Sequence, residues 1–93
     1  MLRLSLQSST DCCRKIALFG NLSGAEVNLL AEEGRRHLAE ASRLVLDLDG
    51  LRFIDPAGLG LLRSWAGSRV CLCGGSAFIR ALLAAEGLEV RET

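Results

Sequence analysis

Apolar and polar residues alternate along most of this chain, and the period changes repeatedly between that of a strand and that of a helix. From Met1 to Gln7 the period is two, with Leu2, Leu4 and Leu6 on one face of a half-buried strand. Ser8-Ser9-Thr10-Asp11 is a polar turn cluster. Lys15-Ile16-Ala17-Leu18-Phe19 follows as a second strand, stopped by Gly20-Asn21. A short turn between two strands predicts an antiparallel hairpin, which puts the first strand at a sheet edge.

The period then lengthens. Ser23-Gly24-Ala25-Glu26 fits a capping box, with Ser23 accepting from an early backbone N–H and Glu26 reaching back. Val27, Leu30, Ala31, Gly34, Leu38 and Ala41 recur at helical spacing behind it. Glu32, Glu33, Arg35, Arg36 and Glu40 form the solvated side, with Glu32 and Arg36 placed as an i,i+4 pair. Arg43-Leu44-Val45-Leu46-Asp47-Leu48 is the most apolar strand and reads as central. Asp49-Gly50 separates it from Leu51-Arg52-Phe53-Ile54. Asp55-Pro56 opens a second helix, Asp at the N-cap and Pro at the first helical position, where its missing N–H is no loss. That helix runs through Ala57, Leu59, Leu62 and Trp65 to a stop at Gly67. Arg69-Val70-Cys71-Leu72-Cys73 is another strand, and Gly74-Gly75-Ser76 leads into a last helix capped by Ser76. Its apolar face is Phe78, Ile79, Leu82 and Leu83, and Gly87 ends it. Leu88-Glu89-Val90-Arg91 is a short final strand or an extended tail. The order β-β-α-β-α-β-α-(β) predicts an α/β fold: a mixed sheet of four or five strands, mostly parallel, with an antiparallel edge strand.

Composition narrows the function more than the fold. Ninety-three residues have room for one domain, spanning 1–93. Eleven basic residues balance eleven acidic ones, which argues against counterion-release binding of nucleic acid and against a polybasic membrane tether. With 49% hydrophobic residues and a mean hydropathy of +0.29, disorder is excluded. No uncharged apolar run reaches membrane-spanning length, and the N-terminus lacks the continuous apolar core of a signal peptide, so the expected compartment is the cytoplasm. Cys12, Cys13, Cys71 and Cys73 are then expected as reduced thiols packing as small hydrophobes.

No catalytic constellation is legible, and neither enzyme activity nor a cofactor is expected. His37 is the lone histidine, at the flank of its helix's apolar stripe. Gly58-Leu59-Gly60 lacks the third glycine of a dinucleotide fingerprint and lies inside a helix. Aromatic residues make up 4% of the chain and include no Tyr, leaving little for base stacking. Asp47, Asp49 and Asp55 cluster near the end of the central strand, but Asp55 as a cap and Asp49 in a turn have structural roles, and no metal is expected.

The informative stretch is Leu44 to Leu62, LVLDLDGLRFIDPAGLGLL. An apolar strand, Asp-x-x-Gly, a hydrophobic pair and Ile-Asp-x-x-Gly-Leu opening a helix resemble the core signature of the STAS family, which includes the bacterial anti-sigma-factor antagonists. Upstream, Leu18-Phe19-Gly20-Asn21-Leu22-Ser23 is similar to that family's opening of its first helix. Downstream, Val70-Cys71-Leu72-Cys73-Gly74 and Leu82-Leu83…Gly87-Leu88 are similar to its last strand, closing helix and tail.

The resemblance implies three helices packed mainly on one face of the sheet and a protein-interaction switch without enzymatic activity. In the antagonists a Ser or Thr at the second position after the motif's Asp is phosphorylated by a partner kinase, itself an anti-sigma factor, and the unmodified form binds that kinase. A phosphate at a helix start is stabilised by orphan N–H groups and alters a docking surface by nearly two charges. This chain has Ala57 there and Pro56 before it, so the position carries no hydroxyl. Ser64, two turns on, does not replace it. The span from Gly58 to Val70 also leaves the second helix only about three turns. The implied partner surface is Asn21, Ser23, Asp55, Pro56, Ala57, Gly58, Leu59 and Arg63. Its partner would be a protein, an anti-sigma factor or serine kinase in the antagonist version. A scaffold in a stress-signalling complex, an accessory subunit of a transporter, and a nucleotide- or anion-binding module at the second helix start are the alternatives. The partner's identity and the oligomeric state are not legible.

Overall fold

The computed structural model describes residues 2–10, 12–65 and 69–90. Seven elements follow in the order β1 Leu2–Ser9, β2 Cys13–Leu22, α1 Ala25–Glu40, β3 Arg43–Ile54, α2 Pro56–Trp65, β4 Val70–Cys73 and α3 Ala77–Ala85. They form an α/β fold. The sheet order is β1-β2-β3-β4, with β1 antiparallel to β2 and the other neighbours parallel. The antiparallel edge and the central β3 lie where the periodicity put them.

Strand alternation decides which side is the core. Ile16, Leu46 and Leu72 stand level across β2, β3 and β4, as do Leu44 and Val70 across β3 and β4. These residues join Val27, Leu30, Leu62, Ile79 and Leu83 of the three helices in one buried cluster. All three helices therefore cover the same sheet face. The intervening residues Lys15, Val45 and Cys71, and then Ala17, Asp47 and Cys73, form rows on the opposite face.

Several local expectations need correction. β2 is longer at both ends, taking in Cys13 and Gly20 to Leu22. Asp49-Gly50 does not divide β3, which runs unbroken over twelve residues. Instead the β2–β3 register shifts between Ala17 and Phe19 and again between Gly20 and Asn21, so extra β3 residues are absorbed as bulges. Gly50 is required there, since an added Cβ would lie 2.3 Å from the Phe19 ring and 2.9 Å from the Leu18 carbonyl oxygen. The capping box does not form: α1 begins after Gly24 without a side-chain cap, and the Glu26 carboxylate accepts instead from the Leu2 N–H on the edge strand. Arg36 pairs with Glu33, three residues back, rather than with Glu32. Leu88 to Val90 lies outside any strand, leaving four strands among the described residues. The stop at Gly67 and the last residue of the tail, Arg91, lie outside the described residues.

The other helix ends match their residues. Ser76 accepts from the Ile79 N–H at 3.2 Å. At the far end of α3, Gly87 adopts φ 77° while the Gly87 and Leu88 N–H groups donate to the Ala84 and Leu83 carbonyls. That is a Schellman closure, and it folds Leu88 back into the core. Arg69 donates to the carbonyl oxygens of Leu38 and Ala41, satisfying the C-terminal end of α1.

Candidate functional site

β2 and β3 end level, with Leu22 opposite Ile54, so α1 and α2 start side by side. Asp55 holds the two starts together. Its backbone N–H donates to the Leu22 carbonyl at 3.0 Å, extending the ladder by one bond. One carboxylate oxygen accepts from the Gly58 N–H at 2.7 Å, the N-cap bond expected for α2. The other accepts from the Gly24 N–H at 3.0 Å, serving the start of α1, which has no cap of its own. These backbone donors, Gly24 first and then Gly58, hold the carboxyl below its ordinary value of 3.8, because they bond the charged form.

Gly58 is buried against this junction. A Cβ there would come within 2.9 Å of both the Leu22 carbonyl oxygen and the Ile54 side chain. The glycine lets α2 start in direct contact with the strand ends. Pro56 and Ala57 are exposed on its first turn, and Leu59 is half-buried against the core. Arg63, two turns further on, pairs with Glu86 at the end of α3. Ser23 is half-buried beside Gly24, and its carbonyl accepts from the Glu26 N–H. Asn21 lies on the last stretch of β2 and lines an open cavity with Arg3, Arg52 and Phe78. The structure thus brings Ser23 and Asp55 to Ala57 to one end of the molecule, turns Gly58 and Leu59 inward, and leaves Arg63 tied to α3.

The other candidates have local partners. His37 Nδ1 lies 2.9 Å from the Arg14 guanidinium, which also pairs with Glu40, so this group links β2 to α1. Asp47 accepts from the Asp49 N–H, and Asp49 from the Gly75 N–H. Among the described residues no group of three His, Cys, Asp or Glu could hold a metal ion. All four cysteines are free. Cys12 is exposed and Cys73 is buried, where desolvation and the neighbouring Asp47 push its thiol up.

A family model described as the Mlab STAS domain matches residues 5–90. The chain belongs to the STAS domain family. No curated protein sequence matches it. Its fold is that of solved STAS-like structures. It is similar to the anti-sigma factor antagonist SpoIIAA in its unphosphorylated form, with TM-score 0.79 and 21% identity over 98% of this chain and 88% of that one. Against the Bacillus cell fate determinant SpoIIAA in its phosphorylated form the TM-score is 0.72, at 20% identity over 98% and 91%. A protein of the DUF3478 family from Shewanella loihica PV-4, described as having a SpoIIAA-like fold, aligns with TM-score 0.62 and 12% identity over 99% and 84%. No helix among the described residues of this STAS domain is long and apolar enough to cross a membrane.

Sequence reasoning missed some of the residues around the site. Gly24, not Ser23, gives the N–H that Asp55 takes. Phe53 and Phe78 are 44% and 55% exposed at the same end of the sheet, although Phe78 reads as part of the apolar face of its helix. The spacing of Leu51 and Ile54 was a usable signal, because two apolar residues three apart in a strand can both be buried only if a bulge lies between them.

Proposed function

We propose that this chain is a single-domain, non-catalytic protein-docking module that resembles an anti-sigma-factor antagonist but is held permanently in its binding-competent state. The observation that carries the reading is Ala57: a methyl group on the exposed first turn of α2, at the position the family resemblance equates with the phosphoacceptor. No hydroxyl is available there to take a phosphoryl group. The helix start is also already served, because Asp55 accepts from the Gly58 N–H that an incoming anion would need. The docking surface runs over Asn21, Ser23, Asp55 to Leu59 and Arg63, and its partner is a protein of the anti-sigma-factor or serine-kinase class. The match to the Mlab STAS model supports a second reading, in which the same unswitched surface makes the chain a standing subunit of a larger assembly.

Substitution at Ala57 tests this. Ala57→Glu places a carboxylate near the α2 start, where the helix dipole favours it by about 0.3–1 kcal/mol, so folding survives. Binding does not, because charge and bulk enter an interface shaped for a methyl group. Ala57→Ser folds and binds almost as wild type and restores an acceptor. The partner is identified by cross-linking in the native cell, then titrated against each variant with melting curves as the folding control. Equal affinity for wild type and a folded Ala57→Glu variant removes the α2 start from the interface.

A further inference from the structure

An open cavity of about 900 Å³ lies at the rim of the sheet, near the C-terminal ends of β2 and β3. Leu18 and Leu48 point to the core, so Phe19 and Asp49 face the opposite way and help to line it. Arg3 of the edge strand and Ser76 and Phe78 at the start of α3 wall it.

Three features give this basin a character. The second register shift, between Gly20 and Asn21, breaks the alternation and leaves Arg52 and Phe53 both exposed. Bulges that re-aim side chains in this way recur beside functional surfaces. The basin is also cationic. Arg3 stacks over the Phe19 ring at 5.0 Å, and Arg52 is exposed with no hydrogen bond or ion pair among the described residues. The one lining carboxylate, Asp49, is turned to the Gly75 N–H at 2.8 Å. Finally, the basin exposes an aromatic ring, Phe78, that the core does not use.

A small-molecule site needs convergent polar groups in a concave, mostly buried setting. No polar or charged residue is buried among those described, and the Ser76 hydroxyl is engaged with the Ile79 N–H. Exposed aromatic rings among arginines are instead the makeup of a protein interface centre. We infer that this basin docks an acidic segment of a partner protein, which sets an apolar side chain against Phe78 and Phe19 and carboxylates against Arg3 and Arg52. The inference rests on the reading of the chain as a protein-binding domain but uses a different surface from the α2 start, the two meeting at Asn21.

The probe is a short synthetic peptide with one Phe flanked by Asp and Glu, titrated into the isotope-labelled full chain and followed by amide NMR shifts. Saturable shifts at Gly20, Asn21, Gly50, Arg52 and Phe78 are expected. The counterpart peptide with Asn and Gln should bind about tenfold more weakly or less. Arg52→Glu and Phe78→Ser, each checked for folding by melting, should weaken the acidic peptide by a similar factor, and Ala57→Glu should leave it unchanged. The inference is overturned if no saturable shift appears, if both peptides bind equally, or if GTP alone saturates the same residues. Shifts centred on Pro56 to Leu59 and lost in Ala57→Glu would also overturn it while leaving the α2 surface standing. Peptide binding at the basin, with native-partner affinity untouched by Ala57→Glu, would retire the α2 reading and keep this one.

Discussion

The starts of α2 and α3 are both capped by a side chain, yet they are built differently. At α3, Ser76 bonds an N–H three residues ahead, and every group involved lies within one turn. At α2, Asp55 makes the same local bond to Gly58 and a second one to Gly24, thirty-one residues away in sequence. The first cap is complete within its own segment. The second is a tertiary joint, since the start of α1 has no side chain of its own to satisfy it and depends on the residue that begins α2. A small hydroxyl is sufficient for one task, whereas the other needs a carboxylate with two oxygens aimed in different directions. The surface around Ala57 therefore inherits its shape from a junction between two helices, and a change at Asp55 is felt on both.

The core sets the scale for testing this contrast, with the largest expected effect. Leu46 is fully buried in the middle of β3, so Leu46→Ala should cost about 2–5 kcal/mol in denaturant melts through lost contacts and a residual cavity. A smaller loss would mean that the sheet centre relaxes readily and that the joint is not anchored by it.

Gly58→Ala comes next. Helix propensity alone would make this substitution stabilising by about 0.5–1 kcal/mol. Packing predicts the opposite sign, a loss of about 1–3 kcal/mol, because the Leu22 carbonyl oxygen at 2.9 Å is backbone and cannot move aside as a flexible side chain would. Gain of stability here would show that α2 does not rest on the strand ends.

Removing the caps tests the comparison directly. Ser76→Ala should cost about 1 kcal/mol, the usual loss of a single cap. Asp55→Ala should cost more than that, though less than Leu46→Ala, and amide exchange should speed up in the first turns of both α1 and α2. Exchange confined to α2 would reduce Asp55 to a local cap. The joint should also titrate. The folded-state value of Asp55 lies below its ordinary 3.8, so its contribution is fully present above about pH 4 and is lost as pH falls through the lowered value. Stability measured across that window should fall less steeply in Asp55→Asn than in wild type.

The smallest effect is a gain. Gly60 sits inside α2 with nothing within 4 Å of an added Cβ, so Gly60→Ala should stabilise by about 0.5–1 kcal/mol. Set against Gly58→Ala, it separates propensity from packing on a single helix.

Much of this fold is written in short-range signals. Period-two runs of leucine and valine mark the strands, Asp55-Pro56 and Ser76 mark two helix starts, and Gly87 marks a helix end, because each depends on neighbours within about one turn. The candidate surface was legible for the same reason, since Asp55 to Leu59 form one continuous run. What the local pattern could not show depends on which distant segments meet. Ser23 and Glu26 have the spacing of a capping box, but Glu26 is drawn to the Leu2 N–H, twenty-four residues away, and Asp55 takes the Gly24 N–H. Asp49-Gly50 has the composition of a turn, yet pairing with β2 carries β3 through it, the extra residue being absorbed as a bulge, while the pairing with β4 has already ended at Asp47. Phe53 and Phe78 count as apolar by type, and only the placement of α3 and the slipped register leave them facing outward. A residue's type fixes what it can bond or bury. Which partner it receives is decided by competition among all the segments that fold against it, and that outcome exists only in three dimensions.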